Sequence, residues 1–528
     1  MAHLGSGRGR VRALPAGLAL TASLGLFPAG AASAAPAEGA PARETSAQEA
    51  PAAVAPAADG PAMSYVVNVR SGHGTAASVK KAIARAGGTV VIAYDRIGVI
   101  VVHSGNPGFA KEIRAARGVE SAGATRTAPL AAQTSDDIAT EKPLTAAEAR
   151  AAAAQAAASV ADDDPLQPLQ WDLPAIKADK AHLRTLGSRS VTVAVLDSGI
   201  DDTHPDIAPN FDRAASASCL GGVPVQKDNA WRPVAEESDH GMHVAGTIAA
   251  AKNGTGVTGV APGVKVSSLK VAEPATGLYY TEAVVCGFMW AAEHGVDVTN
   301  NSYYTDPWLF NCKTDADQKA LVEAVSRAAR YAERKGAVNV AAAGNARTDL
   351  ASETLTDKTS PDDTTPVERV INTRDCLDIP SQLPGVVTVS ATGAQRVKAS
   401  YSNYGLGVVD VTAPGGDRTG YQPPQAPATN GLILSTTFVG GHTYNYKGGT
   451  SMAAPHAAGV AALIKSARPH ATPAEVKALL YAQADDMACT DPYDIDKDGK
   501  TDAVCEGGPH KNGFYGRGMI DALDAVRK

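Results

Sequence analysis

The sequence lacks features that would place it in several functional classes. It has no basic excess, since 48 Lys and Arg residues are outnumbered by 55 Asp and Glu, and the formal net charge is −7. Nucleic-acid-binding proteins usually carry surplus positive charge, so we expect no nucleic-acid partner. Beyond the N-terminal region, charges interrupt every apolar run before the roughly 20 residues of a membrane span, so we expect no membrane partner either. Six cysteines in 528 residues are too few for a disulfide scaffold.

The N-terminal region has the pattern of a secretory signal. A positively charged start precedes an apolar run over residues 14–29 and the small residues Ala32-Ser33-Ala34. This order predicts a signal peptide over residues 1–34 and a secreted, extracellular protein. The alternative is a disordered Ala-rich tail. Export permits disulfides, and six cysteines allow 15 pairings. Only Cys489–Cys505 is local enough to propose.

The next segments differ in composition. Residues 35–62 are rich in Ala, Pro and Glu, which is typical of a linker. Residues 63–125 alternate strand-like and helical patterns in the order β-α-β-β-α-β, a ferredoxin-like α+β arrangement. Residues 126–165 are again Ala-rich and acidic, which predicts an exposed tether. Residues 166–528 alternate near-continuous apolar strands with helices. That pattern indicates an α/β domain with a parallel sheet covered on both sides.

Four polar side chains stand at strand ends or helix starts of this last segment. Asp197 follows an apolar strand, His240 and Ser451 each open a helix of small residues, and Asn345 follows another strand. In α/β sheets the carboxyl ends of strands face the ligand crevice. Ser needs a base, His has a near-neutral pKa, Asp can orient that His, and an amide can donate to an oxyanion. The sequence therefore favours nucleophilic catalysis.

Two details of these motifs require interpretation. His240 and His243 could instead be metal ligands, although the Glu of a helical zinc-protease motif is missing between them. Pro455 lies shortly after Ser451, and we expect it in the first helical turn, where its missing N–H is no loss.

Four longer motifs carry a resemblance to a known family. Residues 195–206 (VLDSGIDDTHPD), 239–247 (DHGMHVAGT), 341–345 (AAAGN) and 449–456 (GTSMAAPH) resemble the signatures of the subtilases, in the order Asp, His, Ser. The resemblance implies a three-layer, parallel-sheet peptidase domain over residues 166–528. It also implies that Ser451 is the nucleophile, that His240 is the general acid and base, and that Asp197 orients His240. Asn345 and the Ser451 N–H would then form the oxyanion hole.

The same resemblance extends to the segments around that domain. Residues 63–125 resemble the inhibitory propeptide of secreted subtilases, which implies a maturation cut within residues 126–165; a stand-alone binding domain is the alternative. Ser302 and Tyr279 match positions of the substrate-binding strands, although Tyr279 could be a plain surface tyrosine. Tyr304 replaces the usual Gly of the first strand, which leaves substrate geometry there open.

Two places could bind calcium. Asp494, Asp496, Asp498 and Asp502 stand at positions 1, 3, 5 and 9 of a loop, with Gly499 at position 6, as in the first part of a calcium loop. Position 12 is Cys505 instead of Glu, so a solvated acidic turn is the alternative. By resemblance, Gln167, Asp206 and Asn253 align with the ligands of a subtilase calcium site. Any calcium would be structural, and no cofactor is expected for catalysis.

These observations together predict a secreted serine endopeptidase that processes itself from a zymogen. We expect protein or peptide substrates, the chain's own propeptide as inhibitor, and a monomer. Two alternatives stay open: a maturation protease dedicated to one partner protein, and a non-catalytic binding module on the same fold.

Overall fold

The computed structural model describes most of the chain after residue 59. The described residues are 60–70, 73–130, 140–145, 147–150, 154, 163–234, 237–417, 422–439 and 443–527. The predicted signal peptide and nearly all of the predicted linker lie outside them, as do parts of the tether. None of the helices in these ranges combines the length and apolarity that crossing a bilayer requires.

Residues 63–124, the N-terminal unit, form an antiparallel sheet under two helices. The elements are β1 (Met63–Val69), α1 (His73–Arg85), β2 (Gly88–Tyr94), β3 (Val99–Ser104), α2 (Phe109–Arg114) and β4 (Val119–Ala124). The strand order is β2-β3-β1-β4, with every pair antiparallel. The structure therefore has the β-α-β-β-α-β order that the sequence predicts.

Strand β1 is buried on both faces. Its alternate residues Tyr65, Val67 and Val69 pack with Val79 and Ile83 of α1 in the core of the N-terminal unit. Val66, on the opposite face, packs in a cluster with Phe288 and Leu321 of the following unit. The sheet thus has its own helices on one side and the C-terminal unit on the other.

Residues 166–528, the C-terminal unit, contain nearly all of the remaining described helices and strands. After β5 (Thr140–Pro143) of the tether come α3 (Asp172–Ala175), α4 (Ala178–His182), β6 (Thr192–Asp197), β7 (Ala217–Ser218), α5 (His240–Ala249), β8 (Lys265–Lys270), α6 (Thr281–Glu293), β9 (Val298–Asn301), β10 (Asn311–Cys312), α7 (Ala316–Arg334), β11 (Val338–Ala342), β12 (Thr354–Asp357), β13 (Arg369–Asn372), β14 (Cys376–Leu377), β15 (Val387–Thr392), β16 (Val411–Pro414), β17 (Ile433–Thr436), β18 (Tyr444–Gly448), α8 (Thr450–Ala467), α9 (Pro473–Ala482), β19 (Gly507–Gly508), β20 (Lys511–Asn512) and α10 (Ala522–Ala525). Short 3-10 turns connect several of them.

A seven-stranded parallel sheet lies at the centre of this unit. Its order is β16-β15-β11-β9-β6-β8-β7. Along β6, Val193 and Val195 pack on the side of α5 and α8, whereas Ala194 and Leu196 pack on the side of α6 and α7. Helices therefore cover both faces of the sheet, which confirms the three-layer α/β fold.

Three disulfides lie in the C-terminal unit. Cys489–Cys505 is present as predicted, and the other bonds are Cys219–Cys286 and Cys312–Cys376. These two pairs are 67 and 64 residues apart in sequence, and only the folded sheet brings their partners together. Sequence reasoning therefore left them open.

Candidate active site

The structure brings Asp197 and His240 into direct contact. Asp197 is the last residue of β6, and His240 is the first residue of α5. His240 Nδ1 lies 2.9 Å from Oδ1 and 3.0 Å from Oδ2 of Asp197, whose side chain is completely buried. The Ser198 N–H donates to the same carboxylate at 2.7 Å, and the Tyr279 hydroxyl donates to it at 3.1 Å. The carboxylate can therefore hold the imidazole in one tautomer and orientation.

Small residues permit this contact. A methyl group added at Gly241 would lie 2.7 Å from the Gly199 carbonyl oxygen and 2.9 Å from the Asp197 Cβ, so α5 begins directly against the turn after β6. Ser198 connects the same two segments, because its hydroxyl donates to Ser238 O and accepts from the Gly241 N–H. The position of His240 thus depends on the Asp-Ser-Gly turn as much as on its own helix.

Ser451 lies at the start of the buried helix α8. Its hydroxyl donates to the Ser302 carbonyl at 3.1 Å, and the Ser302 hydroxyl donates to the Ser451 carbonyl at 2.9 Å. The expectation for Pro455 is wrong. Helix α8 begins at Thr450, so Pro455 lies beyond the first turn, and its absent N–H leaves the Ser451 carbonyl without its helical donor. The Ser302 hydroxyl satisfies that carbonyl instead.

Asn345 follows β11 and faces the start of α8. Its Oδ1 accepts from the Thr450 N–H at 2.9 Å and from the Thr450 hydroxyl at 2.8 Å, so its Nδ2 remains to donate elsewhere. A methyl group added at Gly449 would lie 3.5 Å from Asn345 Nδ2 and 3.6 Å from the Ser451 nitrogen. Both predicted oxyanion donors therefore border the same space.

Buried charges support the helix that carries His240. Lys447 pairs with Asp239 at 2.7 Å, and both side chains are buried. Burial, with the positive charge of Lys447, lowers the pKa of His243 to about 3. The His243 ring lies 3.0 Å from the carbonyl oxygen of Ile433, whereas His240 contacts Asp197. The two histidines thus have separate partners and do not form a metal site.

The predicted substrate strands lie beside the catalytic residues. The Tyr279 ring stacks on Tyr303, with centroids 4.5 Å apart, so Tyr279 is not a plain surface residue. The Tyr304 hydroxyl donates to Asp362 at 2.7 Å. Burial and the neighbouring Asp362 raise the pKa of Asp306 well above its usual range, and burial raises the pKa of Asp378 to about 8. Burial therefore disfavours ionisation of both carboxyl groups.

The connecting segment, residues 125–130, leaves β4 and contacts this region. The Arg126 guanidinium donates to Glu282 at 2.8 Å and to Glu273 at 3.2 Å, and its Cζ lies 3.8 Å from the centroid of the Tyr280 ring. Asp363 accepts from the main-chain N–H groups of the next two residues, Thr127 and Ala128, at 2.7 and 3.1 Å.

The next strand of the chain is β5, which pairs antiparallel with β18. Thr140 faces Gly448, three residues before Ser451, and Pro143 faces Asn445. The residues between the connecting segment and β5, 131–139, lie outside the described residues. Described contacts thus hold the chain both at residues 126–128 and at residues 140–143.

Three of the four aspartates in the loop over residues 494–502 come together. Asp494, Asp496 and Asp502 each offer an oxygen, and these oxygens lie within 4.8 Å of one another. Asp498 is turned away and pairs with Lys500 at 2.7 Å. Alternate carboxylates around a glycine turn are donors that suit a hard cation.

Gln167, Asp206 and Asn253 meet around the loop over residues 253–258. Asn253 Nδ2 lies 3.4 Å from Asp206 Oδ1, and Gln167 Oε1 accepts from the Thr258 hydroxyl. Asp164, which sequence reasoning missed, joins them and accepts from the Gly254 N–H. Burial, with a smaller contribution from Asp164, raises the pKa of Asp206 to about 6. Carboxylate oxygens and side-chain amide oxygens are ligands of the kind that calcium takes.

Sequence reasoning missed three further residues of the site. Thr450 orients Asn345, Ser198 joins the Asp and His segments, and Arg126 fills a charged pocket. Thr450 and Ser198 stand beside catalytic residues within their motifs, which could have indicated them. For Arg126 the sequence contains no comparable signal.

The fold and the site define a class of protein. It is an α/β protein in which Asp, His and Ser stand on separate elements and an amide faces the serine. The subtilase family model matches residues 188–518, and the chain belongs to this family. Relatives include fervidolysin of Fervidobacterium pennivorans, 31% identical over 60% of this chain and 40% of its own length, and subtilisin Savinase of Lederbergia lenta, 30% identical over 62% of this chain and 95% of its own.

Solved structures of other proteins have a fold similar to that of this chain. The epidermin leader peptide processing serine protease of Staphylococcus aureus has a TM-score of 0.62 at 22% identity, covering 88% of this chain and 99% of its own. A protease of Pseudoalteromonas arctica has a TM-score of 0.50 at 28% identity, covering 70% and 99%. The match to fervidolysin spans less than half of that protein.

Proposed function

We propose that this protein is a secreted serine endopeptidase that is made as a self-processing zymogen. The observation that carries the proposal is the contact of His240 with the buried Asp197, combined with Asn345 and the Ser451 N–H around one space. Membership of the subtilase family supports the reaction class.

The proposed reaction uses each of these groups once. With substrate bound, the Ser451 hydroxyl turns from the Ser302 carbonyl toward His240, gives up its proton and attacks the peptide carbonyl carbon. Asp197 stabilises the imidazolium, while Asn345 Nδ2 and the Ser451 N–H donate to the oxyanion. His240 then protonates the leaving amine. Water, activated by the same histidine, hydrolyses the acyl-enzyme.

The N-terminal unit is proposed to be an inhibitory propeptide. It packs against α6 and α7, and Asn68 donates to the Ala320 carbonyl at 2.9 Å. The maturation cut is proposed to lie within the predicted 126–165 tether, which described contacts hold at Thr127 and Ala128 and at β5. The signal peptide and the monomeric state belong to this proposal as well.

Calcium is proposed as a structural ion only. Asp494, Asp496 and Asp502 would hold one ion, and Asp206 with Asp164, Gln167 and Asn253 would hold another. Neither group contacts the catalytic residues, so each ion would stabilise a loop.

A fluorophosphonate probe and the Ser451→Ala variant test the proposed activity. The native chain should mature, take up the probe and cleave casein. Ser451→Ala should stay full-length and do none of these, whereas Ser190→Ala, an exposed serine, should behave as native. A probe-resistant native chain would favour the non-catalytic binding module. Maturation of Ser451→Ala without another protease would contradict self-processing.

A protease dedicated to one partner protein is the second candidate. The observation that favours it is Tyr304, which fills a position usually occupied by Gly and is bonded to Asp362. Comparison of cleavage in a peptide library with cleavage in a protein digest separates this candidate from a broad degrader.

A further inference from the structure

The Arg126 pocket is formed by residues that the reaction does not use. Glu282 on α6 is 1% exposed and sits beneath the guanidinium, Glu273 lies beside it, and the Tyr280 ring covers one face. Charge-assisted hydrogen bonds together with a cation–π contact select a flat cation, which favours arginine over lysine.

The pKa of Glu282 agrees with a pocket that selects arginine. Burial acts to raise its pKa, but the charge and hydrogen bond of Arg126 outweigh burial and lower the pKa. Glu282 is therefore ionised because a guanidinium is present. A buried carboxylate that loses such a partner is left with a large desolvation cost.

The pocket is continuous with the substrate-binding region. The main chains of Tyr280 and Asp306 form a β-bridge. The ring of the neighbouring Tyr279 stacks on Tyr303, and its hydroxyl donates to Asp197. Asp363 binds the main-chain N–H groups of the two residues after Arg126, which any residue except proline can supply. The pocket thus recognises one side chain and the main chain that follows it.

We propose that Glu282, Glu273 and Tyr280 form a subsite for an arginine of the substrate, amino-terminal to the cleaved bond, and that Arg126 fills this subsite until maturation. The proposal rests on the proposed function, since the propeptide must leave before substrate enters. It deepens that function by naming the chemistry of the preferred substrate: an extended peptide with an upstream arginine.

Matched peptides test this subsite in the matured enzyme. Internally quenched peptides carry arginine, or its uncharged analogue citrulline, at successive positions upstream of the cleaved bond. We expect kcat/KM to be at least about tenfold higher for arginine at one position, the low end for a charge-assisted hydrogen bond. Glu282→Gln should abolish that preference by lowering kcat/KM for the arginine peptide to about that of the citrulline peptide. The control Glu293→Gln, at the far end of α6, should retain it. Equal cleavage of both series by the native enzyme would overturn the proposal.

A second measurement needs no activity. In a Ser451→Ala chain, Arg126→Ala should lower the Tm, and N-acetyl-arginine methylamide should restore part of the loss while its citrulline analogue should not. No difference between the two compounds would overturn the subsite. If the compounds differ but the native chain cleaves no peptide and takes up no fluorophosphonate, the subsite stands and the proposed function fails.

Discussion

The N-terminal and C-terminal units are held together by different forces. The C-terminal unit has a central sheet with an apolar layer on each face and three disulfides. The N-terminal unit has no cysteine and a core on one side of its sheet. This difference agrees with the proposal that the N-terminal unit is removed on maturation while the C-terminal unit remains.

Their interface also differs from either core. Arg327 on α7 donates to the carbonyl groups of Val69 and Gly98 at 2.8 and 3.1 Å and pairs with Glu120. Arg114 pairs with Asp317. Half-exposed ion pairs contribute little each and are screened by salt. These polar contacts therefore add geometric specificity but little stability, which agrees with the reversible interface that the proposed inhibitor requires.

The largest expected effect lies in the C-terminal unit. Asp197→Asn should keep the fold but lower kcat by about 10⁴, because the amide favours the wrong tautomer of His240. Casein hydrolysis and a melting curve check both parts. An unchanged kcat would mean that the buried carboxylate only supports the fold.

Asn345→Ala should have a smaller effect on the same chemistry. Loss of one oxyanion donor costs about 10²–10³ in kcat. The KM for a peptide substrate should change little, since the donor acts in the transition state. A rise in KM alone would assign Asn345 to substrate binding.

A substitution at the interface between the two units should change the time before activity begins and leave the final catalytic rate unchanged. Arg327→Ala removes hydrogen bonds to three carbonyl groups, those of Val69, Ile97 and Gly98, and we expect the lag before casein hydrolysis to shorten about tenfold. The final kcat should equal that of the native enzyme. Arg330→Ala, an exposed arginine on the same helix, is the control and should leave the lag unchanged. A lag that Arg327→Ala leaves unchanged would contradict the reversible interface.

The smallest expected effect concerns stability. Burial raises the pKa of Asp378 to about 8, so between pH 4 and 8 the native state holds a proton that the unfolded state has lost. This group therefore opposes folding increasingly as the pH rises through that range. In a Ser451→Ala chain, Asp378→Asn should raise the Tm by about a few degrees at pH 8 and by little at pH 4. Asp375→Asn, which is exposed, should show neither effect.

Local sequence signals predicted much of this structure. The six elements of the N-terminal unit follow from hydrophobic periodicity, and the motifs around Asp197, His240, Ser451 and Asn345 indicated their roles because each is short and continuous. The sequence pattern over residues 407–412 predicts a strand there, but the strand β16 runs from Val411 to Pro414. Gly405 and Gly407 have φ of 150° and 84°, so an irregular turn precedes it.

Contacts between distant residues could not be predicted in this way. Arg126 and Glu282 are 156 positions apart, and β5 pairs with a strand 300 residues later in the chain. No local pattern encodes such pairs, because the partners meet only when the sheet has assembled. Pro455 is a related case, since the donor that replaces its missing N–H comes from Ser302, which directly follows β9.

The pairing of β5 with β18 has a consequence for the free enzyme. If the proposed maturation releases β5, β18 keeps only β17 as a neighbour in this sheet, and its other edge would present main-chain N–H and C=O groups three residues before Ser451. An open edge is a template on which any extended chain can add a strand. Downstream of the cleaved bond, the protein would therefore recognise the backbone common to all peptides, which leaves selectivity to the upstream side.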